Sequence, residues 1–404
     1  MNILTLSTYP FETPLHGGQH RIANIVEILK SAGHNVESAG VLGSDQYPKT
    51  AGFCEYPDQT TFLRYVDNPF LMDDFAIGKI FSEDDFFYTK LSSLITTIPD
   101  IIFVEQPWLF EFAQRFALDK KLDKAKIIYG SQNVEHRLKR DILNQYLGSK
   151  AADIGEQLVL QCELHAIKHA DAICCVSEED LEWTARRTAR PCVLAQNGVK
   201  TRTTTRAGLI EANRISQHRK FALLCASAHP PNITGFYDIF GAGCGCFAPD
   251  ELLIIAGSAG PSITADTRFS KVAGMSRSVV SAGVVSEDCI QGLLVLCHAI
   301  VLPITHGGGT NLKTAEALWA GRHIVATSTA MRGFDAFANT KGVSIANNSQ
   351  DFSAAIRAAM QSRPLQLTDL DKQERSTVLW EHTLSSLLEL VDSFQAQLSK
   401  QLRA

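Results

Sequence analysis

Apolar residues in this chain fall into short runs separated by stretches with helical spacing, a pattern that predicts β–α–β units. Residues 2–8 form a first apolar strand, residues 21–32 carry Ile22, Ile25, Val26 and Leu29 on one helical face, and residues 36–42 return to strand character. Further strands are expected at residues 101–104, 127–129, 171–176 and 193–196, with a helix over 157–169. Residues 44–97 have little regular period. A polar stretch rich in Thr and Arg, 199–220, has no apolar stripe and reads as a linker. A second series then begins, with strands at 221–226, 252–256, 278–282 and 295–303, a helix over 311–320 closed by Gly321, a strand at 322–327 and a helix over 351–361. Near the end, Trp380, Leu384, Leu387, Val391 and Phe394 fall at helical spacing and predict a packing helix within residues 371–403. The expected fold is α/β, with two doubly wound domains over residues 1–200 and 201–370.

Composition narrows the class. A chain of 404 residues, 45% apolar and 20% charged, fits two soluble domains with sizeable cores. It contains no apolar run of about 18 residues, and Met1 leads straight into a strand without a basic leader. The expectation is a cytoplasmic protein, with weak peripheral contact at the inner face of the membrane left open. The net charge of −5 is uneven: residues 1–200 hold 20 Lys+Arg against 27 Asp+Glu, or −7, and the remainder holds 18 against 16, or +2. Neither half is strongly basic, which argues against nucleic acid as a partner. The ten cysteines are scattered, and Cys244 and Cys246 have no second pair at zinc spacing, so reduced thiols and no metal site are expected. Gly17-Gly18 is expected in a polar loop between the first strand and helix, and Gly17-Gly18-Gln19-His20 lacks the Gly-x-Gly-x-x-Gly pattern of dinucleotide enzymes.

Chemistry concentrates in residues 300–327, a strand–loop–helix–strand unit. Gly307-Gly308-Gly309 before a helix lets a ligand approach the main chain, and the free N–H groups at Thr310, Asn311 and the first turn suit a phosphate. Lys313 adds a full positive charge in that turn. Glu316 follows on the same face, about 5 Å along the axis, where a carboxylate could accept hydrogen bonds from ribose hydroxyls. Leu312 stands where an ATPase-type loop needs Gly, so that motif fails. Two readings stay open: a nucleoside diphosphate site, or an exposed Lys313–Glu316 ion pair on an ordinary β–α turn. A second polar cluster, expected as a loop over residues 131–136, follows the 127–129 strand, and there Glu135 and His136 are candidates for work at a reacting hydroxyl. Glu105, at the end of the 101–104 strand, reads either as an acceptor contact or as a capping or surface carboxylate.

The stretch from Pro303 to Gly321, followed by His323-Ile324-Val325-Ala326-Thr327, resembles the donor-site signature of GT-B glycosyltransferases, specifically the large retaining family 4. Gly17-Gly18 with Arg21, Asn133-Val134-Glu135-His136, Val176-Ser177-Glu178-Glu179 and Asn197-Gly198-Val199 occur in the order that family uses. The resemblance implies GT-B architecture: two Rossmann-like domains facing across a cleft, the first on the acceptor side, the second binding the nucleotide sugar, and residues 371–404 crossing back to the first. It implies transfer of a sugar from a nucleotide-diphosphate sugar to the hydroxyl of a glycan, lipid-linked sugar or small molecule, with retention, without metal and with no resident cofactor. By the same resemblance Gly17 and Gly18 close over the donor, His229 lies near the donor phosphates, and Gly308, Gly309, Thr310, Asn311, Lys313 and Glu316 bind the donor. Lys313, Glu135 and His136 serve the chemistry. Many members carry two glutamates eight residues apart, and the first would fall at Gly308. A sugar-nucleotide epimerase of the same fold, or an inactive nucleotide-sugar-binding module, are the alternatives; the base, sugar, acceptor and oligomeric state are left open.

Overall fold

Runs such as Ile101–Glu105 and Glu251–Ala256 are buried along their whole length. Strands covered on both faces belong to parallel sheets, and every strand in this computed structural model pairs in parallel with its neighbours. The structure describes residues 1–14, 16–68, 71–272, 274–306 and 310–403, with side chains through residue 399. The chain divides into two units, Met1–Gln196 with Thr383–Ala404, and Asn197–His382.

In the first unit β1 (Asn2–Ser7), α1 (Gly17–Ser31), β2 (Asn35–Val41), β3 (Phe53–Cys54), α2 (Gln59–Phe62), α3 (Asp73–Glu83) and α4 (Asp85–Ser92) precede β4 (Ile101–Glu105). Then come α5 (Phe110–Asp119), β5 (Lys126–Gly130), α6 (Glu135–Leu147), α7 (Ser149–His169), β6 (Ala172–Cys175), α8 (Glu178–Ala185) and β7 (Cys192–Leu194). The sheet order is β3-β2-β1-β4-β5-β6-β7. Residues 44–97, unreadable as a pattern, hold β3 and three helices whose core contacts include Phe62 of α2, Phe75, Ile77, Ile80 and Phe81 of α3, and Tyr88 and Leu91 of α4.

The second unit contains α9 (Arg206–Ser216), β8 (Lys220–Cys225), α10 (Pro230–Phe240), β9 (Glu251–Ala256), α11 (Ala259–Ala265), α12 (Thr267–Lys271), α13 (Met275–Ser278), β10 (Val279–Gly283) and α14 (Glu287–Leu296). It continues with β11 (Ala299–Leu302), α15 (Leu312–Ala320), β12 (His323–Ala326), α16 (Ser328–Met331), β13 (Val343–Ile345), α17 (Ser349–Gln361) and α18 (Asp369–Ser376). The short α19 (Trp380–Thr383) leads to α20 (Ser385–Arg403). The order β10-β9-β8-β11-β12-β13 again reverses beside the unit's first strand. Its strands split by residue parity: Leu224, Leu253, Ile255 and Val301 face one core, and Leu223, Leu252, Ile254 and Ile300 face the other.

Three expectations are corrected. The 199–220 linker contains α9, whose buried residues Gly208, Ala212 and Ser216 are too small to register as an apolar stripe. The strand expected at 295–303 begins at Ala299, because Val295 and Leu296 finish α14 and Cys297 caps it. The single helix expected over 371–403 is broken into α18, α19 and α20. All ten cysteines are free thiols. Among the described residues no helix is long and apolar enough to cross a membrane.

Candidate functional site

Doubly wound sheets bind ligands beyond the carboxyl ends of the strands where the order reverses. In the second unit those strands are β8 and β11, and the loops leaving them lead to α10 and α15. Gly235 lets α10 close on the loop after β11, since a Cβ there would lie 2.1 Å from the Pro303 carbonyl oxygen. This approach brings Asn232 of α10 to Lys313 of α15: Lys313 Nζ donates to Asn232 Oδ1 at 2.8 Å. Asn232 is itself fixed, its Nδ2 donating to the Ser227 carbonyl at 2.8 Å.

Asn311 is the N-cap of α15, and its side chain accepts from Lys313 N at 3.2 Å. That main-chain N–H, which the sequence reading gave to a phosphate, is therefore occupied by the cap. Thr310 Oγ1 is buried without a hydrogen-bond partner among the described residues. Gly308 and Gly309 lie outside the described residues. At the far end Gly321 takes the left-handed conformation, φ +67°, and the buried Arg375 guanidinium donates to the Leu318 carbonyl at 3.1 Å, anchoring the helix through its free carbonyls.

Lys313 and Glu316 are both partly buried. Burial lowers the Lys313 pKa to about 8, partly offset by Cys225 and Glu316. Burial and Glu287 raise Glu316 to about 7, opposed by Arg202 and Lys313. Among the described residues the two side chains form no ion pair, and Lys313 bonds to Asn232 instead, so the exposed surface pair is not the arrangement found. Both groups thus sit in a partly desolvated setting, where an anion brought beside Lys313 would favour its ammonium form. His229 stands exposed at the N-cap of α10, where partial desolvation and the Lys313 charge lower its pKa.

In the first unit the order reverses between β1 and β4. Gly17 and Gly18, expected in a loop, are the first residues of α1, after the N-cap His16. A Cβ on Gly18 would lie 2.8 Å from Tyr9 Oη and 3.0 Å from Gln132 Oε1. Glu105 is neither a cap nor a surface group: it is buried, pairs with Arg21 Nε at 3.2 Å and accepts from Gln132 Nε2 at 2.6 Å. Arg21 also donates to the Ala195 carbonyl at 2.7 Å, so its place in the motif is to tie α1 to the ends of β4 and β7.

Glu135 and His136 are not in a loop either; they open α6 and are buried. Glu135 accepts from Asn133 Nδ2 at 3.2 Å and from Gln106 Nε2 at 3.3 Å. Gln106 has a left-handed backbone, φ +63°, which a non-glycine residue adopts only when its surroundings enforce it. Burial and the neighbouring Glu163 raise the Glu135 carboxyl to about 8. His136 Nδ1 lies 2.6 Å from Glu163 Oε2, and its ring sits 5.4 Å from that of Trp183. Sequence reasoning missed Glu163 and the bond between Asn232 and Lys313. The signal for Glu163 was a carboxylate on the buried face of α7, in line with Gly155, Val159, Ala166 and Ile167.

Residues 248–362 match the family described as glycosyl transferases group 1. No curated protein matches the sequence. Among solved structures, sucrose-phosphate synthase from Thermosynechococcus elongatus is similar at a TM-score of 0.64 and 13% identity, covering 98% of this chain and 99% of that one. The lipopolysaccharide outer core galactosyltransferase WaaB in its apo form gives 0.61 and 14%, covering 97% and 99%. Anabaena HepE in complex with UDP and glucose gives 0.61 and 12%, covering 97% and 100%. The fold is the GT-B architecture of these structures. Its second unit carries the group 1 domain, spanning β9 to α17 and with it Lys313 and Glu316.

Proposed function

We propose that the chain transfers a sugar from a UDP-sugar to an acceptor hydroxyl, with retention and without a divalent metal. The observation that carries this reading is the placement of Lys313 in the first turn of α15, at the reversal point of the second sheet, desolvated and aimed by Asn232. An ammonium there neutralises charge as the diphosphate leaves, and Glu316 accepts from the ribose hydroxyls. Solved structures of the same fold that contain UDP or UDP-glucose support uridine as the base. In the first unit, Gly17 and Gly18 begin α1 inside a His16–Gln19 capping box, and their main chain is the part of that helix start this reading gives to the donor. Glu135 and His136 serve the reacting hydroxyl.

The reading is tested by thermal shift with UDP-, GDP-, dTDP- and ADP-sugars, because stabilisation grows with ligand concentration over its dissociation constant. UDP-sugars should stabilise the wild type most. Lys313→Ala should keep its ligand-free melting temperature and lose about 1.5–3 kcal/mol of UDP-sugar binding, roughly 10- to 100-fold in affinity. Unchanged affinity together with unchanged turnover in this variant would refute the phosphate role.

A further inference from the structure

We propose that Glu163 is a positioning residue that fixes the tautomer of His136, placing the ring proton on Nδ1 and presenting Nε2 as an acceptor for a sugar hydroxyl. This rests on reading the start of α6 as part of the reacting centre. Glu163 belongs to α7 and is buried on the face that packs into the core. Its carboxylate receives three donors from the first turn of α6: Glu135 N at 2.6 Å to Oε1, His136 N at 3.0 Å to Oε2, and His136 Nδ1 at 2.6 Å to Oε2. Two of these are main-chain N–H groups, which only donate, so Glu163 meets the helix start as an acceptor. A carboxylate accepting on both oxygens leaves the proton of the third bond on Nδ1.

The remaining nitrogen follows from that assignment. With Nδ1–H committed to Glu163, Nε2 carries the lone pair of the neutral ring, and it forms no hydrogen bond among the described residues. The Trp183 ring beside the imidazole, at an interplanar angle of 35°, opposes a ring flip that would exchange the two nitrogens. A carboxylate behind an imidazole also strengthens the outward nitrogen as an acceptor. The chemistry that fits Nε2 is therefore a hydroxyl donor, as a sugar ring provides.

Glu163→Leu separates positioning from packing. Glutamine would not, because its single oxygen at the Oε2 place could still accept both His136 bonds; leucine fills the space with no acceptor, so nothing holds the ring proton on Nδ1 and the Nε2–H form that a free imidazole favours returns. Long-range 1H–15N spectra of the full chain, with the His136 signals identified by their loss in His136→Ala, read this directly. The wild type should show Nδ1–H and Glu163→Leu should show Nε2–H, with kcat lowered about 10- to 100-fold and the donor KM nearly unchanged. Glu163→Asp should retain Nδ1–H and recover part of kcat, and Glu163→Leu should cost nothing further on the His136→Ala background. A wild-type ring protonated on Nε2, or one tautomer shared by wild type and Glu163→Leu, overturns the proposal even if the Leu variant folds poorly, since the wild-type spectrum stands alone. Undiminished kcat in His136→Ala instead overturns the reading of the α6 start as the reacting centre, whatever tautomer is seen.

Discussion

At the proposed nucleotide site, pH should act through Glu316. Its pKa of about 7 lies above that of an ordinary carboxylate, so acidification from pH 8 to 6 converts it from an anion that accepts two hydroxyl protons to a neutral acid. Hydrogen bonds to charged groups exceed neutral ones by about 1 kcal/mol, so UDP affinity should fall about fivefold more in the wild type than in Glu316→Gln over this range. Phosphate protonation affects both proteins alike and cancels in the ratio, which isothermal titration at each pH supplies. Parallel pH profiles would return Glu316 to a structural role. Lys313 and Glu316 were legible in sequence because one short helix places both. Their setting was not: the bond from Lys313 to Asn232 spans 81 positions, and those from the α6 start to Glu163 span 27 and 28. Pairings of that kind depend on which helices pack together, which periodicity along one segment does not report.

At the scale of elements, the α9–α14 contact shows what hydrophobic patterning overlooks. The buried face of α9 is Gly208, Ala212 and Ser216, four residues apart, and α14 meets it with Gly292. A Cβ on Gly292 would lie 2.6 Å from the Gly208 carbonyl oxygen, so the helices touch through their backbones. Gly292→Ala should therefore force them apart and destabilise the fold by about 1–3 kcal/mol, despite the better helix propensity of alanine. Urea denaturation measures this, and a variant as stable as wild type would mean that the contact yields without cost. A search for large apolar side chains reads α9 as a linker, whereas α15 carries both a cap and a stop: Asn311 bonds to Lys313 N, and Gly321 supplies the left-handed terminus. The ends of α15 were readable because local residues cap them. The start of β11 was not, since Val295 and Leu296 and the strand itself are both apolar and only Cys297 and His298 separate helix from strand.

Over the whole molecule, one construction is used twice: parallel strands covered on both faces, with the order reversing beside the first strand of each sheet. That much was visible in the alternation of apolar runs and helical stretches, because buried parallel strands need nearly continuous apolar sequence. The repeat also bears on how a diphosphate is held. In the second unit the reversal point carries a lysine and the positive end of α15, which on the proposed reading would supply the charge that a metal-dependent enzyme takes from a cation. The one Asp-x-Asp sequence, Asp369-Leu370-Asp371, is engaged elsewhere, with Asp371 accepting from Thr368 N at 2.7 Å as part of a capping box for α18. Transfer should accordingly proceed at full rate in excess EDTA, and activity that vanishes there and returns with magnesium or manganese would refute the metal-free reading. Retention of the anomeric configuration is the companion expectation and rests on family resemblance alone, since Glu135, His136 and Lys313 fit either stereochemical course. The NMR coupling constant of the anomeric proton in the first-formed product decides it: a configuration opposite to that of the donor sugar would rule out retention while leaving the metal-free prediction intact.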